Sequence, residues 1–210
     1  MIHVETPHGQ ALVHLHPVDD AKAALILGHG AGGGVNARDL VAVTDVARDH
    51  GISVALVEQP YRVTGRRSPA PAHQLDTAWT AVIDHLSAGE LRGLPLVVGG
   101  RSSGARVACR TAAATGAAAV LCLAFPLQPP RRRASPPPQS RLPELDGVTV
   151  PTLVVQGEND PFGVPPETAL RKVVLVAGDH GLRKDPRAVA AAVSDWLPEV
   201  VARAGAPAAG

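Results

Sequence analysis

LVVGGRSSGARVAC, residues 96–109, joins an apolar run to an alanine-bearing one through three glycines and two serines. The stretch Leu94 to Gly100 is continuously apolar, which suits a parallel strand covered on both faces. Gly104 to Thr115 has helical character. Between them, Gly100, Ser102 and Gly104 fit the pattern G-x-S-x-G. A turn of that kind holds its serine in a cramped backbone conformation, tolerated only when the positions two before and two after are small. It exposes the hydroxyl at a helix N-terminus, where partial positive charge favours a developing oxyanion. The plainer reading is a glycine-softened turn in which Ser102 or Ser103 caps the helix.

The neighbouring sequence extends the strand–helix rhythm. ALVHLHP, from Ala11, alternates with period two and suits a half-exposed antiparallel edge strand at the front. Ala23–Gly28, Ile52–Glu58, Ala118–Ala124, Thr152–Gly157 and Lys172–Gly178 are continuous apolar runs like Leu94–Gly100. Arg38–His50, Gln74–Ser87 and Pro186–Val201 have helical character. Alternating strands and helices predict an α/β fold with a mostly parallel sheet and helices on both faces. The expected organisation is a single domain over residues 1–202 and a flexible tail over 203–210. Residues 126–147 carry seven prolines and the Arg131–Arg133 run, and are expected to form a surface loop rather than a cap domain.

In an open α/β sheet, ligands bind beyond the carboxyl ends of the strands. The segments there are GHGAGGGVN, EQPYRVTGRR, GGRSSGA, FPLQPP, GENDPFG and GDHGL. Serine, aspartate and histidine thus follow three different strands in that order, as Ser102, Asp160 and His180. A serine hydroxyl needs a base, and the base needs an orienting acid. Of nine histidines, His180 occupies a glycine-flanked loop after the last strand. His3 and His8 lie near the terminus, His14 and His16 on one face of the front strand, and His50, His73 and His85 in or beside helices. Asp160 sits in a tight Asp-Pro turn; Asp179 and Glu158 are its weaker competitors. In His29–Gly34, HGAGGG, small residues leave room for an oxyanion donor. The donors are assigned to the N–H groups of Ser103 and Ala31, with Gly32 as the alternative.

Together these motifs resemble the α/β-hydrolase superfamily, and more narrowly its small, lidless Tex30/KANL3-like branch near the dienelactone-hydrolase group. The likeness runs from about Ala23 to Trp196. It implies Ser102 as nucleophile, Asp160 as acid and His180 as base. Dienelactone hydrolases proper use cysteine where this chain has Ser102, so their substrate does not carry over. The resemblance and the residues together lead to a serine hydrolase cleaving a small-molecule carboxylic ester or thioester through an acyl-enzyme.

Composition narrows the alternatives. The chain has 210 residues, a formal net charge of +1 and 2% aromatic residues, which argues against bulk attraction to nucleic acid or a base-stacking surface. No membrane span or signal peptide is visible, and Cys109 and Cys122 read as reduced core residues of a cytoplasmic protein. No cofactor or metal is expected, since His14 and His16 share a face without an obvious carboxylate or thiolate partner. Gly28–Gly33 also satisfies G-x-G-x-x-G, with Glu58 placed for a ribose, so a dinucleotide-binding oxidoreductase is one rival. A non-catalytic interaction module on a hydrolase fold is the other. Finally, Arg62 and Arg66 follow the second parallel strand and Arg101 adjoins Ser102; these are candidates for gripping an anionic substrate.

Overall fold

The computed structural model describes residues 1–129 and 139–205. Eight strands form one sheet: β1 (Ile2–Thr6), β2 (Gly9–His16), β3 (Ala23–Gly28), β4 (Ile52–Glu58), β5 (Leu96–Arg101), β6 (Ala119–Leu123), β7 (Thr152–Gly157) and β8 (Arg171–Val176). Their spatial order is β1-β2-β4-β3-β5-β6-β7-β8. β1 and β2 pair antiparallel with their neighbours, and every other pairing is parallel.

The continuous apolar runs bury both faces of the central strands. In β3, Ala24 and Ile26 join the core beneath α3 (Ala72–Ala88) and α4 (Ser103–Thr111). Ala23, Leu25 and Leu27 join the core beneath α1 (Arg38–Asp49) and α6 (Pro186–Gly205). Trp79 from α3 and Trp196 from α6 are buried on opposite sides of the sheet. Each large side chain so covered contributes about 1.5–3 kcal/mol. Short helices α2 (Pro60–Val63) and α5 (Leu142–Asp146) complete the described structure. Cys109 and Cys122 are buried free thiols, their Sγ atoms 3.5 Å apart in a thiol–thiol hydrogen bond.

Several expected boundaries shift. The strand read from Ala11 begins at Gly9 and lies inside the sheet; the antiparallel edge is β1, whose five residues IHVET bury only Val4 fully and therefore carry little signal. β8 is the opposite edge, and Leu175 is half exposed, so its apolar run does not mean coverage on both faces. α4 stops at Thr111, well short of Thr115; a turn then ends at Gly116, whose φ is +63°. The proline-rich segment 126–147 includes α5, tied down by Glu144 to Arg106 and Arg110 of α4. α6 continues to Gly205, so Arg203 to Gly205 are helical. Residues 130–138, with the Arg131–Arg133 run, and residues 206–210 lie outside the described residues. Among the described residues no helix is long and apolar enough to cross a membrane.

Candidate active site

The turn between β5 and α4 explains its glycines. Ser102 has φ 52° and ψ −106°, a left-handed conformation that costs a non-glycine residue energy. Its amide is held by the Leu123 carbonyl at 2.9 Å, so the strain is fixed by the adjacent strand β6. A methyl group at Gly100 would lie 2.5 Å from the Gly28 carbonyl oxygen, and one at Gly104 would collide with the same oxygen. The glycines therefore let the turn lie directly on the end of β3. Ser102 makes no side-chain cap to the helix, so the plainer capping role is not the one its hydroxyl takes.

That hydroxyl lies 2.9 Å from His180 Nε2. His180 Nδ1 lies 2.8 Å from Asp160 Oδ2. The structure thus brings Ser102, His180 and Asp160 together from loops after β5, β8 and β7. The Asp160 side chain is fully buried, and its Oδ1 accepts the Phe162 amide at 2.9 Å. The Phe162 ring packs on the imidazole with centroids 4.4 Å apart. With Asp160 as acceptor, His180 Nδ1 carries the proton and the unprotonated Nε2 faces the Ser102 hydroxyl. Asp179 instead closes its own turn, accepting the Gly181 amide at 2.8 Å, and Glu158 is exposed.

Gln156 is not singled out by sequence, yet it supports Asp160. It is completely buried on β7 and its Nε2 lies 2.7 Å from Asp160 Oδ2. The same nitrogen approaches the carbonyls of Phe125 and Gly163 at 3.0 and 2.9 Å, while Oε1 accepts the Phe125 amide. Two amide protons are shared among three acceptors. The V-Q-G triplet at the end of β7 carries the signal in retrospect: a glutamine in an otherwise apolar buried strand requires partners.

The glycine-rich loop is fixed by two residues that sequence reasoning left without roles. His29 is buried; its Nδ1 lies 2.8 Å from the Gly30 carbonyl and its Nε2 accepts the Gln59 amide at 3.1 Å. Burial pushes this imidazole below its ordinary pKa, against a smaller opposing contribution from the Gly30 carbonyl. Tyr61 donates to the Ala31 carbonyl at 3.1 Å. Burial pushes its phenol up to about 12, so it remains a donor at neutral pH. Both contacts constrain Gly30 and Ala31, and Ser103 opens α4, where a first-turn amide has no intrahelical partner. Gly32 has open space beside it. The glycine loop runs on to Ala37 before α1 begins at Arg38, so no helix closes directly on the G-x-G-x-x-G stretch.

The arginines divide differently from expectation. Arg101 Nε pairs with Asp39 Oδ2 at 2.9 Å, and its Nη2 donates to the His180 carbonyl at 3.0 Å. The expected substrate-facing role of Arg101 gives way to this internal one, because its guanidinium is committed to a carboxylate only 1% exposed. Burial pushes the Asp39 carboxyl above its ordinary pKa, and Arg101 opposes that shift. Arg62 Nη1 donates to the Arg66 carbonyl at 3.5 Å. Arg66 lines a separate cavity of about 130 Å³ with Tyr61 and Gln74. His14, expected to lack a carboxylate neighbour, has Glu58 at 3.2 Å across β2 and β4. Among the described residues no cluster of three or more histidine, cysteine or acidic side chains forms a metal site.

Known structures share this architecture. Est1E of Butyrivibrio proteoclasticus with ferulic acid bound superposes with a TM-score of 0.76 at 18% identity, covering 96% of this chain and 100% of that one. An α/β serine hydrolase without a lid from Xanthomonas campestris gives 0.71 at 21% identity, covering 94% of each chain. A dienelactone hydrolase from Anabaena variabilis gives 0.74 at 18%, covering 94% of this chain and 95% of that one. At these identities the likeness establishes the fold. No curated protein sequence matches the chain. The profile of a family described as alpha/beta hydrolase domain matches residues 21–201, and with the open, mostly parallel sheet and its serine turn this makes the chain a member of the alpha/beta hydrolase family.

Proposed function

We propose that the protein is a serine hydrolase that cleaves a small carboxylic ester or thioester through an acyl-enzyme. The observation that carries this reading is the continuous relay Ser102 Oγ–His180 Nε2 at 2.9 Å and His180 Nδ1–Asp160 Oδ2 at 2.8 Å. Ser102 Oγ attacks the substrate carbonyl carbon while His180 Nε2 takes the hydroxyl proton. Asp160 keeps the imidazole oriented and stabilises its cation. The carbonyl oxygen becomes an oxyanion facing the amides of Ser103 and Ala31, each such donor contributing ~10²–10³ in turnover. Collapse breaks the ester or thioester bond, and the leaving group takes the proton from His180. Water, deprotonated by the same nitrogen, then releases the acid and restores Ser102. The open glycine loop and the absence of a cap between β6 and β7 among the described residues suit a small substrate. The narrower Tex30/KANL3-like placement rests on the motifs quoted above.

Covalent labelling tests the assignment without knowledge of the substrate. A fluorophosphonate should add one phosphonyl group to the peptide bearing Ser102. Ser102→Ala should abolish the adduct while circular dichroism stays unchanged, and Ser103→Ala should retain it. An adduct on Ser103, or none on the folded wild type, overturns the reading.

A further inference from the structure

Arg101 is not free to hold a substrate, but two other arginines flank the same region. A groove of about 720 Å³ adjoins the triad. Its floor is the Arg101–Asp39 ion pair, which is neutral overall. One wall is the glycine loop, with Gly34 leaving open space, followed by Arg38. The other wall is the turn after His180, with Gly181 and Arg183. The Arg183 stem lies against Gly181: a methyl group there would be 3.5 Å from Arg183 Cγ. Arg38 and Arg183 are exposed, and among the described residues neither forms an ion pair.

This groove lies beside the reacting groups. Arg101 immediately precedes Ser102, Gly181 immediately follows His180, and the Arg101 hydrogen bond to the His180 carbonyl joins the two. The groove's own lining holds a neutral ion pair and, on each wall, one guanidinium without an ion-pair partner, while the Asp179 carboxylate of the adjoining turn accepts the Gly181 amide. An anionic oxygen group seated there meets a planar donor fork from either side.

We propose that this groove is the subsite for a carboxylate or phosphate carried by the substrate, held between Arg38 and Arg183. The assignment rests on the serine-hydrolase reading for its catalytic meaning, but the subsite can be tested by binding alone. Ser102→Ala protein would be titrated with the monomethyl ester of glutaric acid and with its neutral analogue, in which the carboxylate is a carboxamide. Binding is followed by amide chemical shifts. The acid should bind on the order of 10-fold more tightly at low ionic strength, and the difference should shrink as salt shortens the Debye length. Arg38→Ala and Arg183→Ala should each reduce the preference by roughly 3- to 10-fold. Lys184→Ala removes a cation from the adjoining groove and should leave it intact.

Equal affinity for the two esters, or a preference that survives both arginine substitutions, overturns the subsite. Preferential binding without turnover by wild-type protein supports the subsite and counts against the esterase reading instead.

Discussion

Arg101 Nη2 donates to the main-chain carbonyl of His180 at 3.0 Å, tying the residue before Ser102 to His180. The other end of the same guanidinium is anchored on Asp39, at the start of α1. Loops after β5 and β8 are thereby held in register by one half-buried cation. Such a link restrains the main chain that carries the imidazole, whereas Asp160 orients its ring.

Arg101→Ala is therefore expected to leave Asp39 buried and unpaired, at a cost of about 3–5 kcal/mol. Asn at position 39 in that background should recover part of the loss by removing the stranded charge. Urea unfolding of wild type, both single variants and the double variant checks this. Simple additivity of the two substitutions would show that the pair is not energetically coupled.

Gln156 offers a test of how Asp160 is supported. In Gln156→Glu, a second carboxyl group would stand where an amide now lies 2.7 Å from Asp160 Oδ2. Two carboxylates so close share a proton, which raises one folded-state pKa above its unfolded value. A raised carboxyl pKa contributes stability that is present at low pH and is lost as pH rises through the folded value. The Tm of this variant, relative to wild type, should rise as pH is lowered from 8 to about 5. A pH-independent offset would show that Gln156 does not face an ionised Asp160.

The parts of the fold visible in sequence were those where local pattern and tertiary place agree. Continuous apolar runs mark β3 to β7 because both faces of those strands are covered. β1 is not legible in sequence because one buried valine in five residues carries no periodicity. Ser102, Asp160 and His180 can be picked out because each lies within four positions of a strand's end and glycine or proline fixes its turn. His29, Tyr61, Gln156 and Asp39 cannot. Each depends on a partner 30 to 62 positions away and on burial that spacing does not encode. Arg101 shows the same limit: adjacency to Ser102 suggested a substrate contact, and the buried Asp39 claims it.

The glycines of the serine turn make a sharper prediction than the motif alone. Gly100→Ala places a methyl group 2.5 Å from the Gly28 carbonyl oxygen, and backbone on both sides prevents an easy shift. It should destabilise the protein by more than about 3 kcal/mol, with Gly104→Ala at least as severe. Gly34→Ala, with nothing within 4 Å, should stay within about 0.5 kcal/mol of wild type. Thermal melts of the three variants provide the comparison. Equal effects at Gly34 and Gly100 would remove the packing explanation for the turn.

His29 gives the glycine loop a pH-sensitive anchor. Its contacts, Nδ1 to the Gly30 carbonyl and Nε2 to the Gln59 amide, are both satisfied only when the imidazole is neutral and Nδ1 carries the proton. Burial lowers its folded-state pKa, so below about 6.5 the unfolded chain binds a proton that the folded chain does not. The contribution is therefore fully present above the unfolded pKa and declines as pH falls toward the folded value, by up to about 1.4 kcal/mol per pH unit. His29→Asn removes that titration, at the expense of the Gln59 contact. The variant should be less stable at pH 7.5, yet lose stability less steeply between pH 6.5 and 5.5, as read from urea midpoints. His16, whose pKa burial also lowers, is common to both proteins and cancels in the difference. Parallel stability curves across that range would show that the imidazole accepts a proton within the fold, and the anchoring role of His29 would then fail.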